Sequence, residues 1–152
     1  MPFGDYKHMG RADTFLWERF NRLTPQWFTR PTYDMRVGEG ADLPPDLDEP
    51  YRLMATRLSQ KRIDVFAYHD ADPYIIEIKP YPGASAVGQL VTYRTLYALD
   101  HPARPVPLLA LIAARVDRDD QAVLDRANVR TYITPVSDAE MLAIERGEYP
   151  QP

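Results

Sequence analysis

The chain has 152 residues, 45% hydrophobic and 26% charged, with a formal charge of −4 and no cysteine. That composition predicts one globular domain over residues 1–152, with a core that needs no disulfide or structural metal. It excludes thiolate zinc sites, cysteine nucleophiles, and a protein that coats nucleic acid through bulk charge, though not one that grips a few phosphates locally.

No apolar run approaches the roughly 18 residues that span a bilayer. The stretch Met1 to Gly10 has no signal-peptide core, so the expected location is the cytoplasm. His8, His69 and His101 are too scattered to suggest a multi-histidine metal site. Basic charge is carried by 15 Arg and only three Lys (Lys7, Lys61 and Lys79), so a lysine in a special position stands out. The 15 prolines read as stiff connections between elements.

In chain order, the spacing of Leu16, Phe20 and Leu23 predicts a helix over 13–23, capped by Asp13 and ended by Pro25. Residues 32–37 alternate as a strand, with Tyr33, Met35 and Val37 on one face, closed by Gly38 and Gly40. The acidic, Pro-rich segment 41–50 is a loop. A short helix is expected within 47–60 on the stripe Leu47, Tyr51, Met54 and Leu58, with Pro50 in its first turn.

Ile63 to His69 and Tyr74 to Lys79 form a hairpin around the turn Asp70-Ala71-Asp72-Pro73. A four-residue turn pairs residue 69 with 74, and so 64 with 79. One face then carries Ile63, Val65, Ala67, Tyr74, Ile76 and Ile78. The other carries Asp64, Phe66, Tyr68, Ile75, Glu77 and Lys79.

A helix follows from Ser85, its expected cap, to about Leu99, on the stripe Ala86, Leu90, Tyr93 and Tyr97. Pro107 to Ala114 reads as a buried strand, 118–127 as a helix with Val123 and Leu124 inward, and Val129 to Ile133 as a last strand. Ser137 and Glu140 form a capping box for a final helix that ends at Gly147. The order is that of an α/β domain with a mixed sheet.

Asp64, Glu77 and Lys79 thus converge at one end of an otherwise apolar hairpin. Adjacent carboxylates repel and are costly on a half-buried face. A divalent cation removes that cost, with the Ile78 carbonyl as a further oxygen ligand. The alternative is an Asp64–Lys79 cross-strand salt bridge with Glu77 facing solvent.

The run Arg62-Ile63-Asp64-Val65, followed by Tyr74-Ile75-Ile76-Glu77-Ile78-Lys79-Pro80, resembles the PD-(D/E)XK nuclease superfamily. The following Gly88-Gln89-Leu90-Val91-Thr92-Tyr93 is similar to the Gln-x-x-x-Tyr motif of its RecB-like and lambda-exonuclease-like branches. The resemblance implies a restriction-endonuclease-like αβββαβ core, here with an extra C-terminal αβα. It also implies Mg²⁺ or Mn²⁺ on Asp64 and Glu77, water activation by Lys79, support from Gln89 and Tyr93, and DNA as substrate. Ile63 stands where the family name has Pro. The family's further acid on the first helix would be Glu18, which the helical wheel turns away from Leu16 and Phe20, toward solvent.

Arg52, Arg57, Lys61 and Arg62 read either as a solvated face or as phosphate contacts leading to the site. His69, at the far end of the hairpin, reads as structural. A looser resemblance to small tailed-bacteriophage proteins, through Tyr33-Asp34-Met35-Arg36-Val37-Gly38 and Gly88-Gln89-Leu90, implies a second possibility. The chain would then be a head, neck or tail component of the virion, using the fold as a scaffold. Protein partners in such an assembly would be expected to meet the apolar surface near Trp17, Trp27 and Phe28.

Overall fold

The computed structural model describes Tyr6 and residues 8–152. Most of the stretch on which the signal-peptide expectation rests, together with Lys7, lies outside the described residues. Ten elements follow the predicted order: α1 (Arg11–Leu23), β1 (Thr29–Val37), α2 (Glu49–Ser59), β2 (Lys61–His69), β3 (Asp72–Ile78), α3 (Ser85–Asp100), β4 (Leu108–Ala113), α4 (Arg118–Arg126), β5 (Val129–Ile133) and α5 (Asp138–Glu145).

The strands form one sheet in the order β1-β2-β3-β4-β5. The first two pairings are antiparallel and the last two parallel. The parallel pairings are joined through α3 and α4, as parallel neighbours require. One core layer packs α1 against Val65, Tyr74, Ile76 and Ile112. The other packs the stripe Leu90, Tyr93 and Tyr97 of α3 against Phe66, Ile75, Leu109 and Leu111. This is the restriction-endonuclease-like α/β arrangement, with α2 inserted between the first two strands.

Several local expectations change. Helix α1 begins at Arg11 with Gly10 as its N-cap, whose N–H donates to Asp13 Oδ2 at 3.3 Å. Asp13 is therefore inside the first turn, where a carboxylate complements the free N–H groups. Ser85 is the first residue of α3 and makes no cap bond. The capping box of α5 forms as expected, with Glu140 N–H donating to Ser137 Oγ and Ser137 N–H to Glu140 Oε2. Leu124 is buried but Val123 faces solvent, as does Leu23.

The β2–β3 turn is Asp70-Ala71 alone, with Asp70 left-handed at φ 52°. His69 pairs with Asp72 and Val65 with Ile76. The register differs from the expected one by two positions. A two-residue slip keeps every side chain on its face, so the predicted face assignment survives it.

Ile63 is the exception, and it lies beside an irregularity of β1 at Asp34. Tyr33 pairs with Val65 and Met35 with Ile63, which sets Asp34 opposite Asp64. Asp34 has φ 56°. A left-handed residue inside a strand turns the chain over, so residues on either side of it no longer share a face. Tyr33 accordingly lies toward α1, where Trp17 Nε1–H donates to its hydroxyl at 3.1 Å. Met35, Val37 and Ile63 pack in the α3 layer.

Trp17 and Phe28 belong to the core and form no surface patch. Trp27 is exposed, and further exposed apolar side chains lie on α2, which has no buried residue and leaves Tyr51, Met54 and Leu58 open.

Candidate active site

The β2–β3 ladder stops at Val65 and Ile76, although both strands continue. Beyond that point the Ile78 N–H donates to Asp64 Oδ2 at 3.0 Å. A side-chain carboxylate has taken the place of a ladder carbonyl. Lys79 N–H still donates to the Ile112 carbonyl at 3.0 Å, so β3 stays with β4 and the sheet opens only on the β2 side.

The expected acids meet at this opening. Glu77 is 7% exposed, and its Oε2 is buried with no hydrogen-bond partner among the described residues. Burial first, then the neighbouring Asp64 carboxylate and Asp13, push the Glu77 carboxyl up to about 8, while Lys79 pulls it down. Tyr93 is pushed up to about 12, again by burial first and then by Glu77 and Asp64. Gln89, one helical turn before Tyr93, is half-buried with its Oε1 unpartnered.

The salt-bridge alternative does not form. Asp64 is held by Ile78 N–H and by His8, Glu77 is turned away from solvent, and among the described residues Lys79 makes no ion pair.

Three further residues enter the site. Asp13 is pushed up to about 6, by burial first and then by Asp64, so it and not Glu18 is the acid that α1 delivers. Its signal was present in the sequence: residues 13, 16, 17 and 20 are one helical stripe, and Asp13 heads it. Glu18 is half-buried and accepts from the Tyr6 hydroxyl at 2.8 Å, which pins the preceding segment onto α1.

That segment delivers His8. Its Nε2 lies 3.1 Å from Asp64 Oδ1, and its Nδ1 lies 3.3 Å from Asp34 Oδ1. Arg62 Nε stands 3.6 Å from the same Asp34 oxygen. No spacing rule links His8 to Asp64 across the chain. Only the left-handed turn of Asp34, a conformation that Asp tolerates better than most residues, aims its carboxylate this way.

Of the basic cluster, Arg57, Lys61 and Arg62 are exposed, and Arg62 lies beside the site through Asp34 and Tyr93. His69 is remote and structural, stacked on Trp27 at 4.1 Å with its Nδ1 2.9 Å from the Trp27 carbonyl.

No protein-family model matches the chain, and no curated protein matches it. Among solved structures it is similar to a chain of the EndoMS-dsDNA2 complex, with 12% identity and a TM-score of 0.47 over 88% of its own length. It spans 50% of that longer chain. The reading of the fold rests on the strand order and connections, not on this likeness. No helix among the described residues is long and apolar enough to cross a membrane.

Proposed function

We propose that the chain is a metal-dependent nuclease that hydrolyses DNA phosphodiester bonds, with Asp64, Glu77 and Lys79 at its centre. The observation that carries this reading is Glu77 Oε2, a buried carboxylate oxygen beside a second carboxylate and with no partner among the described residues. A buried carboxylate that lacks a hydrogen bond needs a proton or a cation.

The donors suit a hard divalent ion. Asp64 and Glu77 offer carboxylate oxygens, and the Ile78 carbonyl shares the side of β3 from which its N–H reaches Asp64. Among the described residues, no three His, Asp or Glu side chains close around one point. Mg²⁺ or Mn²⁺ would be held there by one or two carboxylates, with water completing the shell. Asp13 acts on Glu77 through its charge, and His8 contacts Asp64.

A bound ion supplies easier deprotonation of water and neutralisation of phosphate charge. The remaining work falls to side chains. The Lys79 ammonium, in no ion pair among the described residues, orients the attacking water and offsets phosphate charge. Tyr93, held protonated by burial and then by its acidic neighbours, donates a hydrogen bond to a phosphate oxygen. Gln89, with its amide oxygen unpartnered, steadies the water from α3. Arg57, Lys61 and Arg62 contact the flanking phosphates, which positions the strand without reading its sequence.

Calorimetric titration of Mg²⁺ and Mn²⁺, paired with cleavage assays on linear, circular and single-stranded DNA, tests the reading. Metal binding and cleavage that both depend on Asp64 are expected. A wild type that neither binds metal nor cuts any substrate would leave the scaffold role in its place.

A further inference from the structure

The chain that leaves the site is stiff. Lys79 is followed by Pro80, Tyr81 and Pro82. Tyr81 thus stands between two residues of fixed φ, and the proline after it keeps its own backbone extended. The residues just past β4 hold the same turn. The Pro80 carbonyl accepts from the Ala114 N–H at 2.9 Å and from the Arg115 N–H at 3.2 Å. Both prolines are buried, whereas Tyr81 between them is 40% exposed.

An exposed tyrosine whose backbone is held this firmly presents its ring in one place. Arg115, brought alongside by the same carbonyl, sets its guanidinium over that ring, 4.6 Å from the centroid. Among the described residues the guanidinium makes no ion pair, and neither it nor the Tyr81 hydroxyl makes a hydrogen bond. The pair therefore combines open aromatic surface with unused N–H donors.

Its position relative to Lys79 is fixed by chain length. Two residues reach at most about 7 Å, which is about two nucleotide steps along a strand. A strand whose scissile phosphate lies at Lys79 carries a neighbouring nucleotide to Tyr81.

We propose that Tyr81 and Arg115 form a nucleotide subsite, with an unpaired base stacked on the tyrosine ring and the adjoining phosphate held by the arginine. A tyrosine face accepts any base, and a guanidinium with free N–H groups suits a phosphate. Inside an intact duplex both faces of a base are covered by its neighbours, so stacking on Tyr81 requires a base out of the helix. The substrate class is thereby narrowed to DNA that is single-stranded or frayed at the cut. This subsite rests on the nuclease reading, because the scissile phosphate at Lys79 is what brings a base to Tyr81.

Photocrosslinking and equilibrium binding, with Ca²⁺ in place of Mg²⁺, test it. An oligothymidylate carrying 5-iododeoxyuridine is expected to crosslink to the peptide that contains Tyr81. Tyr81→Ala should weaken oligothymidylate binding about tenfold, while Tyr81→Phe, which keeps the ring, stays close to the wild type. An abasic strand should bind the wild type and Tyr81→Ala equally, as should an intact duplex. Arg115→Ala should weaken base-bearing and abasic strands alike and lower the salt slope by about one. Circular dichroism should be unchanged in all three variants. Crosslinks that spare Tyr81 overturn the proposal. So does a Tyr81→Ala variant that binds oligothymidylate as the wild type does, or that loses duplex and single strand equally. If the wild type cuts DNA and either result is found, the subsite alone is wrong. If Tyr81 crosslinks but the wild type neither binds Mg²⁺ or Mn²⁺ nor cuts, the strand-binding pair stands and the nuclease reading fails. A wild type that binds no strand overturns both.

Discussion

The Ile78 N–H donates to Asp64 Oδ2 at 3.0 Å, at the point where β2 and β3 part. One carboxylate oxygen thereby closes the sheet. The other, Oδ1, lies 3.1 Å from His8 Nε2. Asp64 is thus structural through one oxygen and available for chemistry through the other.

Substitutions at Asp64 should separate these two uses. Asp64→Asn keeps an oxygen for Ile78 N–H, so stability should hold within about 1 kcal/mol, while metal affinity and cleavage fall together. Asp64→Ala leaves that buried N–H unpaired and should cost roughly 1–3 kcal/mol in addition. Urea unfolding beside Mn²⁺ calorimetry distinguishes the two. Equal stability for both variants would show that the bond to Ile78 contributes nothing.

Lys79→Ala should leave Mn²⁺ binding largely intact and lower the cleavage rate roughly 10²–10⁴-fold, the usual range for a positioned proton-transfer group. Single-turnover cleavage at saturating metal is the measurement. A variant that cuts at the wild-type rate removes Lys79 from the chemistry.

Stability in metal-free buffer should fall as pH rises from about 4.5 to about 8. Glu77 has its carboxyl raised from 4.5 to about 8 in the fold, so over this window the folded chain binds more protons than the unfolded one. Asp13, raised from 3.8 to about 6, adds a term of the same sign at lower pH. Glu77→Gln should flatten the profile and raise stability near pH 8. Saturating Mn²⁺ should do the same for the wild type and much less for the variant. Urea midpoints across the window read the slope, and a rising profile would contradict this account of Glu77.

Arg19 predicts the opposite sign on the acid side. Its guanidinium bonds Glu140 through both NH groups and also reaches the Pro135 carbonyl at 2.9 Å, tying α1 to α5. Arg19 holds the Glu140 carboxyl down at about 2, so this stability is present above about 4.5 and is lost as pH falls toward 2. Arg19→Ala should cost roughly 1–2 kcal/mol at neutral pH, because it removes charge-assisted hydrogen bonds to a carboxylate that stays in reach of water. Thermal melts at neutral and acid pH should show a loss that shrinks as pH falls.

Local and periodic features were legible in the sequence. Alternation over 63–79 assigned nearly every side chain of the hairpin to its face, because a strand's period of two survives even an error in register. The stripe Ala86, Leu90, Tyr93 and Tyr97 gave the crossover helix, and Ser137 with Glu140 gave the start of α5. The short run Asp64, Glu77, Lys79 was visible because all three lie on one hairpin. Tertiary structure alone decided the rest. The left-handed Asp34 turns β1 over, yet nothing in the sequence Tyr-Asp-Met marks it, since its conformation is imposed by packing on both faces of the sheet. His8 reaches Asp64 from 56 residues away, and that contact exists only because Tyr6 is anchored on Glu18 and Tyr33. Whether Glu77 faced water or the interior also depended on the closure of α1 and α3 over the sheet end. Burial is a property of the assembled layers, and no residue's own spacing encodes it.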